Sequence, residues 1–232
     1  MLVALNSSGV RTLAALATKG LDSFVCPACH DNVVLKKGPI KIHHFAHYPE
    51  STCENAGESY RHLEMKWQMG IVAGQNGYLV DFERQLNNSR ADVLLSRLND
   101  NYIIEVQNSA ISFEEIYKRS LKFQQPNLLT HGFNPDILWL FDKKRLSSPF
   151  IKHKTRYQKY EESLFRIPIE CKRFFDEFNH VDFIDLWGTI LVGKVYGYKY
   201  KSHKLVFFRE GYPFTSYLNS SRLPNLWERV RV

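Results

Sequence analysis

Apolar residues recur at two different spacings in the middle of this chain, and the switch between them sets out its elements. After Gly57 the stretch "ESYRHLEMKWQMGIVAGQNG" carries Tyr60, Leu63, Trp67 and Ile71 at helical intervals and closes at Gly77. It therefore predicts an amphipathic helix with those four residues as its apolar face. The spacing then drops to two. "YLVDFERQL" (78–86), "RADVLLSRL" (90–98) and "YIIEVQNS" (102–109) read as strands, and the Asn99-Asp100-Asn101 turn joins the last two. Ser112-Phe113-Glu114-Glu115 is a capping box, so a second helix is expected from Ser112 to about Gln124. "DILWLFD" (136–142) is an apolar run of strand length. Helix, three antiparallel strands, helix and strand make an α/β order, with the last strand parallel to an earlier one across the intervening helix.

Ahead of the first helix lies "FVCPACHDNVVLKKGPIKIHHFAHYPESTC" (24–53), which holds three of the four cysteines and a cluster of histidines. Its β-rich runs predict two short hairpins, one turning at the CxxC and one at Lys36-Lys37-Gly38-Pro39. That is the shape of a small zinc ribbon. Cys26 and Cys29 supply half of a tetrahedral Zn²⁺ site, and Cys53 with a histidine supplies the rest. His47 is the first choice for that histidine and His44 the second, because strand alternation turns His43 away from His44. Four soft or borderline ligands leave no open position, so the zinc would be a structural staple. Cys171 stands far from the others, which makes a disulfide framework a poor reading.

Composition narrows the class. A chain of 232 residues with 44% hydrophobic and 24% charged content can bury a sizeable core as one large domain or two small ones, and disorder is excluded. No run approaches the roughly 18 apolar residues of a membrane span, and residues 1–19 lack a leader pattern, so a cytoplasmic location is expected. The net charge of +7 is uneven: residues 1–142 carry 13 basic against 15 acidic residues, and 143–232 carry 18 against 9. Within the latter, Lys143 to Lys159 has seven basic residues and no acidic one, with Phe150 and Tyr157 interleaved. Such a run suits a phosphate backbone and marks Lys143, Lys144, Arg145, Lys152, Lys154 and Arg156 as candidate DNA contacts. An equally good reading makes residues 146–232 an extension that completes the core, since "VYGYKYKSHKLVFF" alternates like a strand pair. The expected division is 1–56, 57–145 and 146–232.

Two carboxylates interrupt the apolar strands. Burying Asp92 and Glu105 is costly unless a cation meets them. The predicted hairpin places them opposite each other, with Gln107 on the same face as Glu105. Hard oxygen ligands of this kind suit Mg²⁺ or Mn²⁺. The competing reading is that they sit solvated at a sheet edge, paired with Arg84 or Arg90. On the first helix Glu58, His62 and Lys66 follow one another at i, i+4 and i+8 and form a polar stripe apart from Tyr60 and Trp67.

The motifs "CPAC", "IHHFAH", "ESYRHLEMK", "RADVLL" and "IEVQNSAIS", in that order, resemble the competence protein CoiA-like family. The order of an Asp in one strand, a turn, and Glu-x-Gln in the next is similar to the PD-(D/E)xK nuclease superfamily. The likeness covers roughly residues 20–142. It implies a restriction-endonuclease-like core of a mixed sheet flanked by helices, preceded by a zinc-ribbon-like module. It also implies metal-dependent hydrolysis of DNA, with Mg²⁺ or Mn²⁺ held by Asp92, Glu105 and the Val106 carbonyl, during DNA uptake or recombination alongside recombination proteins. Gln107 departs from the pattern, because the superfamily usually has a lysine there. Lys66 is a candidate to supply the missing charge, with His62 as proton carrier and Glu58 as auxiliary ligand. Two other readings stay open: a non-catalytic DNA-binding recombination accessory protein, and a defence or mobile-element nuclease.

Overall fold

A computed structural model describes residues 1–86, 89–98, 100–123 and 135–145, together with the backbone of the strands named below between 151 and 213. The chain forms two compact units, Met1–Trp67 and Gln68–Val232.

The first unit is built on a five-stranded antiparallel sheet of β1 (Val3–Asn6), β2 (Arg11–Leu13), β3 (Phe24–Val25), β4 (Asn32–Lys36) and β5 (His44–His47), in the order β2-β1-β3-β4-β5. β1 and β2 escaped the sequence reading because three or four residues are too few to display alternation. Their turn is visible only as chemistry: the Asn6 side chain accepts from the Ser8 and Val10 amides at 3.1 and 2.8 Å, and Gly9 takes a left-handed φ of 74°. β3 and β4 do pair across the CxxC turn. β5 begins later than expected, at His44, and Ile40 is left exposed. The core is small, with Met1, Ala4, Ala14, Ala17, Val33 and Leu35 around the Phe24 and Phe45 rings, whose centroids are 4.8 Å apart. Lys37 donates to the Ala15 and Ala17 carbonyls at 3.1 and 2.7 Å, so this lysine closes a turn.

Helix α1 (Tyr60–Gln75) starts behind Ser59, whose hydroxyl accepts from the His62 amide at 3.2 Å. Of the expected apolar face only Leu63 is buried; Tyr60 and Trp67 are half-buried. Leu63, Met65, Lys66, Met69 and Ala73 are buried, whereas Ile71 is 39% exposed. The reason is Gly70, against which the Phe82 ring packs so closely that a Cβ would lie 2.0 Å from it. A glycine that admits an aromatic ring defines a face that a count of apolar side chains misses.

In the second unit the sheet contains β6 (Leu79–Leu86), β7 (Ser89–Arg97), β8 (Asp100–Gln107) and, after helix α2 (Phe113–Lys122), β9 (Asp136–Asp142). Ser112 caps α2, accepting from the Glu115 amide at 3.1 Å as its motif predicts. β6, β7 and β8 are antiparallel, and β9 runs parallel to β8 with Glu105 opposite Trp139. β8 and β9 bury Ile103, Ile104, Val106, Ile137, Leu138, Leu140 and Phe141, the near-continuous apolar content of strands covered on both faces. The remaining strands are β10 (Ile151–His153), β11 (Glu162–Arg166), β12 (Val181–Ile184), β13 (Thr189–Gly193), β14 (Tyr198–Tyr200) and β15 (His203–Pro213). They continue the same sheet, in the order β10-β11-β15-β13-β12-β9-β8-β7-β6, with β14 on β15. β12 joins it parallel to β9, and β14 pairs with β15 as the alternation of that segment predicts. The result is a mixed α/β fold with two sheets and few helices. Among the described residues no helix is long and apolar enough to cross a membrane. Cys171 lies outside the described residues.

Candidate metal centres and nuclease site

The CxxC turn is shaped to present sulfur. His30 adopts a left-handed φ of 59° directly after Cys29, and the Cys26 amide closes onto the Asp31 carbonyl at 2.9 Å. The Ala28 amide points at Cys26 Sγ at 3.4 Å. β5 then brings His47 alongside, with Nε2 3.4 Å from Cys29 Sγ. Cys26, Cys29, His47 and Cys53 each offer a ligand atom within 4.8 Å of the others. This Cys₃His set matches the donors zinc takes in closed sites. Burial, with Cys53 and Cys26 adding to it, pushes the Cys29 thiol up to about 12 against a lowering hydrogen bond from the Asp31 backbone. A bound cation would reverse that balance by taking the thiolate. His44 is not in the group. Its Nδ1 lies 3.0 Å from the Ile42 carbonyl and its ring meets Tyr60 edge-on.

In the second unit Asp92 and Glu105 stand across from each other on interior strands, 4% and 0% exposed. The edge-strand reading therefore falls. The register Val93↔Ile104 puts the pair at the next position, and there the side chains take over from the ladder. Glu105 Oε1 accepts from the Asp92 amide at 3.1 Å, and Asp92 Oδ2 accepts from the Val106 amide at 3.0 Å. Each carboxylate is thus held by the backbone of the other strand. The two arginines that the sequence reading offered them also meet other carboxylates. Arg84 pairs with Asp81 at 3.3 Å and Arg90 approaches Glu83 at 4.0 Å. The cation at Glu105 Oε2 is Arg119 of α2, whose guanidinium also lies 5.0 Å from the Trp139 ring. Sequence reasoning missed it because helix phase and the β8-α2-β9 crossover together decide where residue 119 points.

Gln107 is nearly buried, and its amide nitrogen donates to the Ser109 carbonyl and hydroxyl, both at 3.0 Å. Glu83 was also missed. It is 4% exposed, has a left-handed φ of 54°, and stands opposite Asp92 between the pairs Phe82↔Val93 and Arg84↔Ala91. Only its non-alternating burial within "DFERQ" could have signalled it, and no pattern rule reads that.

The expected helix stripe is a charge cluster in the first unit, with Glu58 just ahead of α1 rather than on it and only His62 and Lys66 on the helix. Glu58 Oε1 pairs with Lys66 Nζ and lies 2.9 Å from His62 Nδ1, with Lys66 fully buried and Glu58 8% exposed. Burial alone would raise the Glu58 carboxyl, but the Lys66 charge and the His62 hydrogen bond hold it well below the usual carboxylate range. Of the proposed DNA contacts, Lys143, Lys144 and Arg145 form a 3₁₀ turn directly after β9, with Arg145 5.9 Å from the Phe141 ring and the Lys144 amide on Asp142 at 2.8 Å. Lys152 lies on β10. Lys154 and Arg156 lie outside the described residues.

Comparison with protein families places this architecture in a class. Residues 9–56 match the N-terminal domain of competence protein CoiA, and residues 58–168 match its nuclease-like domain. The chain belongs to the CoiA-like family. No curated protein and no solved structure gave a significant match. A nuclease-like domain implies a nucleic acid as substrate and hydrolysis as the reaction class.

Proposed function

We propose that the protein is a divalent-metal-dependent nuclease that hydrolyses DNA phosphodiester bonds during DNA uptake or recombination. The observation that carries this reading is the Asp92/Glu105 pair, two buried carboxylates tied to each other's backbone on interior strands of a nuclease-like domain. Their hard oxygen donors fit Mg²⁺ or Mn²⁺, and the pre-set geometry means little reorganisation on binding. Such a cation, when bound, lowers the pKa of water and offsets charge on the phosphoryl oxygens. Asp92 and Glu105 hold it; the sheet around them excludes bulk water. Glu58, His62 and Lys66 enter this reading through the family resemblance as auxiliary ligand, proton carrier and cation, and Gln107 as the residue in the lysine position. Cys26, Cys29, His47 and Cys53 hold a structural Zn²⁺. Lys143, Lys144 and Arg145, with Lys152, Lys154 and Arg156, supply phosphate contacts that carry no sequence information.

A second reading has one specific observation behind it. The Gln107 amide nitrogen is committed to Ser109 and brings no charge, which favours a DNA-binding accessory protein without turnover. Cleavage of plasmid, linear and branched DNA by wild type and Asp92→Ala in Mg²⁺, Mn²⁺ and EDTA separates the two. Metal-dependent cutting that vanishes in the variant supports the nuclease. Salt-dependent binding by both without cutting supports the accessory protein and ends the nuclease reading.

A further inference from the structure

Gln107 carries no charge, and Lys66, the cation taken from the family resemblance, is fully buried against Glu58, so a further cation at the carboxylates themselves has a role to fill. We propose that Arg119 is that catalytic residue: it holds Glu105 until the divalent cation arrives and then binds the non-bridging oxygens of the scissile phosphate. The proposal rests on the nuclease reading above.

Three observations support it. First, Arg119 contacts the site itself, with its Nη2 on Glu105 Oε2. Second, the pair is asymmetric in exposure: Glu105 is fully buried and the Arg119 side chain is 27% exposed. A phosphate approaching the carboxylates from solvent therefore meets the guanidinium first. Third, the guanidinium has somewhere to go. Trp139 is 3% exposed and fixed by its Nε1–H donating to Ser120 Oγ at 2.9 Å, and its ring lies 5.0 Å from the guanidinium. When the divalent cation takes Glu105 Oε2, the arginine loses one partner and keeps the ring, which holds it beside the site.

The chemistry suits the group. A guanidinium presents forked N–H donors that match phosphate oxygens, and it stays protonated throughout. In the hydrolysis a water oxygen bonds to phosphorus as one ester P–O bond breaks; a water proton is released and the leaving alkoxide takes one up. Arg119 exchanges neither proton nor electron and offsets the charge that builds on the phosphoryl oxygens. The same contact makes a second, opposite effect. Arg119 competes with the divalent cation for Glu105, so its removal should tighten metal binding while slowing turnover.

The test uses the full chain as wild type, Arg119→Met and Arg119→Lys. Mn²⁺ affinity is measured by electron paramagnetic resonance titration without DNA, and kcat and KM by plasmid cleavage in Mn²⁺. Arg119→Met is expected to bind Mn²⁺ several-fold more tightly and to lose on the order of a hundredfold in kcat, the loss typical of one transition-state donor. Its melting temperature should fall without metal and rise more on adding Mn²⁺ than that of wild type. Arg119→Lys keeps a charge but not the fork, and should keep Mn²⁺ affinity with at least a roughly tenfold loss in kcat. If Arg119→Met does not fold, Arg119→Lys decides alone: cleavage at the wild-type rate overturns the proposal. Weaker Mn²⁺ binding together with slower cleavage in both variants also overturns it, because that is what a purely structural arginine gives. Cleavage by Arg119→Met at the wild-type rate overturns this proposal only, whereas a wild type that cuts in no metal overturns the nuclease reading with it.

Discussion

The two ligand clusters of this protein are built on opposite principles. In the first unit, four side chains from a turn, a strand and a following loop gather around a point at the side of a core made largely of alanines and two phenylalanines. In the second, two carboxylates sit inside a ten-stranded sheet among large aliphatic residues, and the sheet orders them with or without a cation. The first cluster lacks enough apolar burial around it to hold its shape alone, so ligand and fold would depend on each other. The second is already satisfied by backbone amides and by Arg119, so a cation there serves chemistry rather than folding. The same residue types thus mean different things according to what else holds the chain in place.

The most severe way to break this comparison is to remove the zinc proposed for the first cluster. Binding at closed Cys/His sites contributes on the order of 10 kcal/mol, more than a whole small module retains as net stability. Treatment with a strong chelator, or Cys26→Ser, is expected to remove hydrogen-exchange protection from β3 to β5 and leave β7 to β9 protected. Persistence of β3–β5 protection in the chelator would show that the alanine-rich core suffices. Asp92→Asn comes next. It keeps an oxygen for the Val106 amide while removing the charge, so cleavage should drop by about a thousandfold, as expected for losing several kcal/mol of metal-supplied stabilisation. Its melting temperature should stay near that of wild type, and a large fall would mean that the sheet needs the charge for folding.

Glu58→Gln should have a smaller effect that depends on pH. Leaving Lys66 buried without its counter-charge costs about 3 kcal/mol at neutral pH, read by urea denaturation. The Glu58 carboxyl is held below its ordinary value of 4.5, so its contribution is complete above that pH and is lost as pH falls toward the depressed folded value. The acid limb of the stability curve should accordingly be flatter in Glu58→Gln than in wild type; parallel limbs would remove Glu58 from the acid transition. The mildest change is Gly70→Ala. Its methyl meets the Phe82 ring, and the repacking should cost about 1–3 kcal/mol, seen as a lower melting temperature with unchanged Mn²⁺ affinity.

Much of the second unit was legible because its signals are local and periodic. Alternation gave β6 to β8 and the hairpin that opposes Asp92 and Glu105, an apolar run of strand length gave β9, and the Ser112 box gave the start of α2 to the residue. The CxxC and its partners were legible for a different reason: their spacing is one that a hydrophobic core does not need, and the fold brings the four side chains together. What was illegible involved glycine, very short strands and distant partners. β1 and β2 are too brief to alternate, and α1 turned its face toward a ring that only Gly70 admits.

By itself, then, the sequence determined the order of the elements, the identity of the ligand types and the pairing of the two carboxylates, since each follows from neighbours a few residues apart or from one hairpin register. Only the tertiary structure decided that Asp92 and Glu105 are interior, that His47 rather than His44 joins the cysteines, and that Arg119, fourteen residues beyond Glu105, is its cation. Those outcomes depend on how a strand, a helix and a parallel strand pack through a crossover, and packing direction is a property of three dimensions that linear spacing does not carry.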